Sequence, residues 1–352
     1  MAGGKRGCLA VAVALLAVML LLAATAAWLW LRHERFAQTP VTATAPSVVI
    51  ERGDSLRAVL ARLRQAGVAE GSDLDWQVLA RRVGAAGKLK VGEYALQPAL
   101  SPRELLERMR QGKVIHYRFT IVEGWNIRQL RAALKAATPL EHEIADLDDA
   151  ALMARLGAPG QHPEGRFLPE TYLYQRGDSD LDVLVRAHKA MEAALAEAWA
   201  QRADDLPLQT PEQALILASI VEKETALPSE RPKIAGVFAR RLKLGMKLQT
   251  DPTVIYGIGS SYDGNIRRRD LETDTPYNTY TRTGLTPTPI AMPGRDALRA
   301  AVRPEPGDAL YFVAVGDGSG AHVFTNSYGE HSAAVARYLQ RMRRPAEAEQ
   351  VR

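Results

Sequence analysis

The stretch that decides the fold runs from Thr210 to Gly259 and reads TPEQALILASIVEKETALPSERPKIAGVFARRLKLGMKLQTDPTVIYGIG. It opens with a helix start signal, in which Thr210 is placed to cap, Pro211 suits the first helical position, and Gln213 occupies the capping-box position. The dense apolar run Ala214–Val221 follows. Because a helix that is apolar on all sides must be buried, the stretch predicts a core helix of the protein.

Two carboxylates, Glu222 and Glu224, end this helix. At helical spacing Glu224 shares its face with Leu217, Ile220 and Val221, whereas i and i+2 residues point apart. A carboxyl group held against apolar surface has a raised pKa, which suits a general acid. The spacing favours Glu224 as the acid and leaves Glu222 a supporting role. The alternative, that Glu224 is the solvated end of a helix, stays open from spacing alone.

Polar and aromatic residues follow on two later loops. The candidates for substrate contacts are Gln249, Thr250, Asp251, Tyr277, Asn278 and Tyr280. Amide, hydroxyl and carboxylate groups hydrogen-bond to sugar hydroxyls, and aromatic rings offer flat faces to sugar rings. Taken singly, each of these residues is more often a loop-stabilising residue.

Composition excludes several classes of protein. The chain has 352 residues, a formal net charge of +5, and a single cysteine, Cys8. A disulfide framework or a thiol-based metal site is therefore excluded, and no histidine pair has the spacing of metal ligands. We interpret His322 and His331 as structural residues and expect neither a metal nor a cofactor. Basic residues form no stripe with interleaved aromatics, so nucleic acid is not an expected partner.

The N-terminal segment predicts a membrane anchor. Cys8–Leu31 is a run of 24 residues without a charge, and about 20 apolar residues suffice to cross a bilayer. Trp28 and Trp30 lie at its far end, where an interfacial aromatic belt belongs. Small residues at 24–26 resemble a signal-peptide cleavage site, but the apolar run continues past them, which favours a retained anchor.

Charge alone does not fix the orientation of this anchor, because Arg32 and Arg35 flank its far side. An inside N-terminus is the commoner outcome for a single N-terminal span. We therefore expect residues 1–7 in the cytoplasm, the span at 8–31, a linker at 32–46, and the remaining chain in the cell envelope.

A strand, a glycine turn and a short amphipathic helix recur after the linker. The first copy is Val48–Ile50 with Leu56–Leu63, and the second is Phe119–Ile121 with Ile127–Leu134. A third, weaker echo begins at Gly92. Such units predict an α+β fold, with a small module of the size of a carbohydrate-binding domain or a plain packing unit.

Further patterns in the second half predict helices over Asp180–Leu195, Ser229–Leu244 and Gly329–Met342. The last of these is followed by a frayed tail from Pro345. Strands at 309–315 and 321–325 flank a glycine-rich turn and predict a hairpin.

Several long motifs now make the chain recognisable. They are ASIVEKET, SERPKIAGVFARRL, LQTDPTVIYG, YNTY and HVFTNSYGEH, and they run in order through the region 48–339. In these motifs the chain resembles the YceG-like family, the endolytic murein transglycosylases. The resemblance implies an α+β protein with an N-terminal transmembrane helix, a small LysM-like subdomain (47–115), a larger mixed α+β catalytic domain (116–344) and a tail (345–352).

The resemblance also implies an activity, that of a lyase on peptidoglycan. The family cleaves the MurNAc-β-1,4-GlcNAc bond, leaves 1,6-anhydroMurNAc ends and ends growing glycan strands. Its catalytic acid is the second Glu of EKET, which is Glu224 here, with Glu222 and Glu230 expected in supporting roles. The implied location is the bacterial inner membrane with a periplasmic catalytic domain. The implied partners are peptidoglycan strands, the inner membrane and peptidoglycan synthases (penicillin-binding proteins).

The chain departs from the family in a proline-rich loop. GLTPTPIAMPG stands where the family has GLPPGPI-x-NPG, so Thr286, Thr288 and Met292 replace a proline, a glycine and an asparagine. Two other functions stay open beside the transglycosylase. One is a lysozyme-like hydrolase of the same bond with Asp251 or Glu222 as its second carboxylate, and the other is a non-enzymatic, membrane-anchored wall-binding scaffold.

Overall fold

A computed structural model describes residues 3–349 and shows the mixed α+β architecture that the sequence predicts. The chain divides into two compact units. The small unit comprises the described residues up to Tyr117 together with Gln175–Gly177, and the large unit comprises Arg118–Tyr174 and the described residues from Asp178 onward.

The small unit contains one long helix, three short helices and an antiparallel pair of strands within its described residues. They are α1 (Gly3–Gln38), β1 (Ser47–Ile50), α2 (Leu56–Gln65), α3 (Asp73–Arg82), β2 (Gly92–Ala95) and α4 (Pro102–Gln111). In the sheet Ser47 pairs with Ala95 and Ile50 pairs with Gly92. Ser101 caps α4 in a complete capping box with Glu104, and the helix packs with α1 and α3.

The long helix α1 is apolar and exposed over residues 9–31, within the predicted membrane span. Over the described residues it is the one helix that is long and apolar enough to cross a membrane, and its candidate span is Leu9–Gln38. The prediction of a linker from residue 32 is wrong at its start, because the helix continues to Gln38. The cause is packing: Ala37 and Val41 are completely buried in the core of the small unit.

The large unit follows with mostly helical elements. They are β3 (Tyr117–Thr120, which enters from the small unit), α5 (Ile127–Ala136), α6 (Asp149–Arg155), β4 (Thr171–Tyr174), α7 (Asp180–Ala200), α8 (Pro211–Glu224), α9 (Arg231–Lys243), α10 (Asp251–Ile258), α11 (Arg268–Glu272), α12 (Arg295–Val302), β5 (Tyr311–Ala314), β6 (His322–Thr325) and α13 (Tyr328–Glu349). β3 and β4 form a two-stranded sheet, and β5 and β6 pair antiparallel as the predicted hairpin.

Helix α8 is the centre of the large unit, as its apolar run predicts. Every residue from Ala214 to Glu222 is buried, and the helix packs with α7, α9 and α12 around a single core. Neighbouring helices therefore hold α8 in place over its buried run, which ends at Glu222. This rigid setting positions the two carboxylates at its C-terminus.

Two local predictions need correction. Thr210 caps α8, but the side chain of Gln213 accepts from Gln209 N instead of completing a capping box. The helix α13 continues through Pro345 to Glu349, so a frayed tail does not begin at Pro345, and residues 350–352 lie outside the described residues.

Candidate active site

The last residue of α8, Glu224, meets the loop that leads into α10. Its carboxylate Oε1 accepts a hydrogen bond from the Thr250 hydroxyl, and its side chain is partly exposed. No cation forms an ion pair with Glu224 in the part of the chain that the structure describes. A carboxyl group that has a hydroxyl donor but no paired cation can exchange its proton.

The protonation equilibrium of Glu224 follows from its surroundings. Burial among its neighbours raises the pKa of Glu224 to about 7. The hydrogen bond from Thr250 and the positive charge of Arg241 lower this pKa, and the negative charge of Asp251 raises it. A carboxyl group with a pKa near neutrality can both donate and accept a proton at physiological pH.

The loop residues Gln249 and Thr250 are held in an unusual backbone geometry. Gln249 has a φ of 51°, a left-handed conformation that few residues other than glycine adopt. Its N–H donates to Thr279 O at 3.2 Å, and Thr250 N donates to Thr279 Oγ1 at 3.1 Å. The buried hydroxyl of Thr253 joins the same group at 2.9 Å from Thr279 Oγ1. The loop thereby directs the Thr250 hydroxyl at Glu224 and leaves Gln249 exposed.

Asp251 and Tyr280 are hydrogen-bonded to each other beside Thr250 and Glu224. The Tyr280 hydroxyl donates to Asp251 Oδ1 at 2.6 Å, and Asp251 is exposed at the start of α10. Burial, reinforced by the charges of Asp251 and Glu224, raises the pKa of Tyr280 above its ordinary range. The structure thus brings Glu224, Thr250, Asp251 and Tyr280 into one cluster.

Arg241, in the last turn of α9, also belongs to this cluster, and the sequence analysis did not single it out. Its guanidinium donates to the backbone oxygens of Lys247, Leu248 and Leu310 at 2.7 to 3.1 Å. It also contacts Gln249 Oε1 at 3.3 Å. A buried arginine that binds the carbonyls of the loop fixes the loop and supplies a positive field near Glu224. The signal in the sequence was the position of Arg241 on the buried face of α9, four residues after Val237.

Glu222 lies on the side of α8 opposite to Glu224, and its carboxylate has different partners. Its Oε1 accepts from Arg231 Nη2 at 2.8 Å, and its Oε2 accepts from Gly294 N at 2.9 Å. Arg231 also contacts Glu123 at 3.1 Å, and both Glu222 and Arg231 are buried. Burial raises the pKa of Glu222, and the Gly294 N–H and the charge of Arg231 oppose this effect. Glu222 therefore holds the start of α9 and the start of α12 together.

Glu230, the second supporting residue that the sequence suggests, clamps the β5–β6 hairpin. Its Oε1 accepts from His322 N at 2.9 Å, and its Oε2 lies 2.7 Å from His322 Nδ1. Glu230 is buried. The pair fixes the hairpin against the N-terminal end of α9, and the structural reading of His322 fits this position.

Tyr277 and Asn278 contact other groups. The Tyr277 hydroxyl lies 2.9 Å from Thr288 Oγ1, and its ring packs on Tyr256 with centroids 4.9 Å apart. Asn278 is buried. Its amide nitrogen donates to the backbone oxygens of residues 270, 271 and 273, and its Oδ1 accepts from Tyr280 N at 2.8 Å. The Asn278 amide is fully engaged inside its own loop, where it places Tyr280.

The proline-rich loop packs against the core at its unusual positions. Met292 is completely buried, and Thr286 is nearly so. The loop is tied to α8 by Ile290 N, which donates to Ser219 Oγ at 3.0 Å. Thr286 and Thr288 hydroxyls donate to carbonyls within the loop. The residue that replaces an asparagine thus fills the interior of the large unit.

The chain is similar to known proteins over most of its length. The YceG-like family matches residues 48–337. An endolytic murein transglycosylase of Bacillus subtilis is 32% identical over 313 residues, which cover 84% of this chain and 85% of that protein. An endolytic murein transglycosylase of Streptococcus pneumoniae is 27% identical, covering 71% of this chain and 51% of the relative.

The fold has a solved counterpart. A crystal structure of a YceG-like protein from Listeria monocytogenes aligns with a TM-score of 0.54 at 29% sequence identity. The alignment covers 82% of this chain and 97% of that chain.

Proposed function

The chain belongs to the YceG-like family, and we propose that it is a membrane-anchored endolytic transglycosylase of peptidoglycan with Glu224 as its single acid and base. The relatives named endolytic murein transglycosylase support the activity on peptidoglycan. The proposed role of Glu224 rests on the surroundings of its carboxyl group. It is a partly exposed carboxyl group with a pKa of about 7, one hydroxyl donor and no paired cation among the described residues.

The proposed reaction needs one proton shuttle. Protonated Glu224 gives its proton to the glycosidic oxygen between MurNAc and GlcNAc. The bond between this oxygen and the MurNAc C1 breaks as positive charge develops at C1. The 6-hydroxyl of the same sugar attacks C1 and returns its proton to Glu224. The products are a 1,6-anhydroMurNAc end and a GlcNAc hydroxyl, and no water enters. A pKa near neutrality serves both steps, because the group must begin protonated and then act as a base.

The neighbouring groups have supporting parts in this proposal. The Thr250 hydroxyl orients the Glu224 carboxyl, and Arg241 holds the loop that carries Thr250. Gln249, Asp251 and Tyr280 present an exposed amide, a carboxylate and a partly exposed ring for sugar contacts beside the acid. Tyr277 offers a second ring on the same loop, and Asn278 keeps this loop in shape.

The runner-up function is a lysozyme-like hydrolase, and one observation favours it. Asp251 is close enough to Glu224 for its charge to raise the pKa of that group. Hydrolysis by two carboxyl groups requires the second one to attack C1 or to activate water. Glu222 is not available for this role, because both of its oxygens are bound to Arg231 and Gly294.

Product masses separate the two functions. Purified sacculi are digested with the wild type, Glu224→Gln, Asp251→Asn and the control Glu197→Gln, which changes an exposed carboxyl on α7. The proposal expects anhydro ends from the wild type, Asp251→Asn and the control, and no cleavage by folded Glu224→Gln. Reducing ends that carry one added water, lost in Asp251→Asn, would instead establish the hydrolase. Glycan binding without cleavage by the wild type would indicate a scaffold.

The location and role in the cell complete the proposal. With α1 spanning the inner membrane, the two units lie on its periplasmic side, close to nascent glycan strands and to the synthases that extend them. Cleavage within such strands ends their growth. Protease accessibility of the small unit in spheroplasts, compared with intact cells, tests the orientation.

A further inference from the structure

The helix α1 joins the small unit without a flexible connection. Phe36 packs edge-on against Trp76, with ring centroids 5.5 Å apart, and Ala37 is completely buried in the core of this unit. Gly71 lies so close to the Phe36 ring that an added Cβ would come within 2.1 Å of it. The direction of α1 therefore fixes the direction of the small unit's other helices.

Helix α3 runs across α1 and not along it. Asp75 pairs with Arg32 at 3.0 Å, and Arg82 pairs with Glu34 at 2.9 Å. The two α3 partners are about 10 Å apart along their helix, whereas the two α1 partners are only about 3 Å apart along theirs. If α1 is upright in a bilayer, α3 lies nearly parallel to the bilayer surface at the level of Arg32.

One face of α3 is apolar and uncovered. Leu74 is 66% exposed and Val78 is 37% exposed, and the exposed Arg81 follows at helical spacing on the same side. The opposite face, with Trp76, Leu79 and Ala80, is buried in the core of the small unit. Two large apolar residues one turn apart on an exposed face, followed by arginines, are typical of a helix at a membrane surface.

The contacts with α1 show which way this face points. Trp76, on the buried face, contacts Phe36, which is one turn closer to the C-terminus of α1 than Arg32. The buried face of α3 is thus directed toward the C-terminal end of α1. The exposed Leu74–Val78 face is directed back toward the apolar part of α1, which ends at Leu31.

We propose that α3 is a second membrane contact, an interfacial helix whose Leu74, Val78 and Arg81 rest on the surface of the bilayer that α1 crosses. The occupant of this face is a phospholipid surface with anionic headgroups. Leu74 and Val78 enter the boundary between headgroups and acyl chains, and Arg81 reaches the phosphates. The inference rests on α1 spanning the membrane, and it goes beyond the proposed cleavage reaction, which it does not require.

The test uses the full-length chain in nanodiscs that contain anionic lipid, in a Cys8→Ser background with single cysteines labelled by an environment-sensitive fluorophore. Labels are placed by Leu74→Cys and Val78→Cys on α3, and by Leu15→Cys within α1. The matched control is Val91→Cys, an equally apolar and 53% exposed site in the same unit. Val91 lies near the end of α4 that is remote from α1. Its neighbour Lys90 donates its N–H to Met109 O in the last turn of α4, whereas the contact of α4 with Glu34 of α1 is made by Arg103 in the first turn.

Lipids brominated near the headgroup end of their acyl chains report contact with the bilayer. The proposal expects bromolipid quenching of the labels at 74 and 78 and of the label at 15, with no quenching at 91. Labels at 74 and 78 that behave like the label at 91, while the label at 15 is quenched, would overturn the proposal and leave the span intact. An unquenched label at 15 would overturn both. Cross-linking of two chains through Leu74→Cys without quenching would assign this face to a second copy of the chain and also overturn the proposal.

Discussion

The two sides of the C-terminal end of α8 carry the same functional group in opposite settings. Glu222 faces Arg231 and the Gly294 N–H, both of its oxygens are bound, and it is buried. Glu224, two residues later, faces a threonine hydroxyl and remains partly exposed. Because alternate residues at a helix end point apart, one helix supplies a structural carboxylate to one side and a chemically free one to the other.

The difference shows that burial alone does not distinguish the carboxyl group that we propose as the catalyst from the structural one. Burial raises the pKa of both residues. What distinguishes them is the partner, since a paired carboxylate that holds two elements together cannot release or take up a proton without loosening them. The following predictions test this distinction, beginning with the largest effect.

Glu224→Gln is expected to lower the rate of glycan cleavage by at least about a thousandfold, since the amide cannot supply the proton. The fold is expected to persist, because the Gln side chain can still accept from Thr250. Cleavage rates on purified sacculi, with circular dichroism as the folding control, measure this effect. Wild-type rates in this variant would show that the proton comes from another group.

Glu164 tests whether a raised pKa is enough to make a catalyst. It is completely buried, both oxygens accept from Ile127 N at 3.1 Å, and burial raises its pKa to about 7. A carboxyl with a raised pKa in the folded state stabilises the fold fully at pH 4, and this stability is lost as pH rises through about 7. The loss is about 3 kcal/mol, because the pKa rises from 4.5 to about 7 and each pKa unit corresponds to about 1.4 kcal/mol.

Glu164→Gln is therefore expected to weaken the decline in the free energy of unfolding between pH 4 and pH 8 by that amount. It is expected to leave more than a tenth of the cleavage rate, because Glu164 is outside the site cluster. Urea unfolding at several pH values and the sacculus assay measure both quantities. An unchanged pH dependence of stability would contradict the assigned protonation of Glu164.

Glu222→Gln is expected to lower the free energy of unfolding by about 2 kcal/mol, because Arg231 loses a buried charged partner. Residual cleavage is expected to follow the folded fraction, in contrast to Glu224→Gln. Urea unfolding of the two variants side by side provides the comparison. A stable Glu222→Gln protein with no activity would reverse the roles assigned to the two carboxylates.

Thr250→Val produces the smallest expected effect. The variant removes the hydroxyl that lowers the pKa of Glu224, so that this pKa rises further. A hydrogen bond of ordinary strength corresponds to a shift of about 0.7 in pH. The alkaline limb of the pH–rate profile should move upward by that amount, and the Val91→Ala variant in the small unit should leave it unchanged. A downward shift would contradict the assigned hydrogen bond.

The sequence predicts the central helix well and its surroundings less well. The apolar run at 214–221 has no stable place except a core, so the position of α8 follows from hydrophobicity. The position of Arg241 in the site could not be predicted, because its partners are carbonyl oxygens of 247, 248 and 310, which only the tertiary fold brings together.

Asn278 and α1 are two further cases in which contacts made only in the tertiary fold could not be predicted from the sequence. An amide on a loop looks identical in sequence whether it faces a sugar or its own backbone, and the structure places Asn278 inside its loop. The helix α1 extends beyond the charged residues at 32–35 because Ala37 and Val41 are buried in the small unit. Local composition favours a linker there, and tertiary packing overrides it.

The most direct test of the central claim is digestion of sacculi in H₂¹⁸O by the wild type and by Glu224→Gln, followed by mass spectrometry of the released glycan ends. A single proton-shuttling carboxyl predicts anhydro ends without ¹⁸O from the wild type and no new ends from the variant. Reducing ends that carry ¹⁸O, or anhydro ends produced by the variant at the wild-type rate, would contradict it.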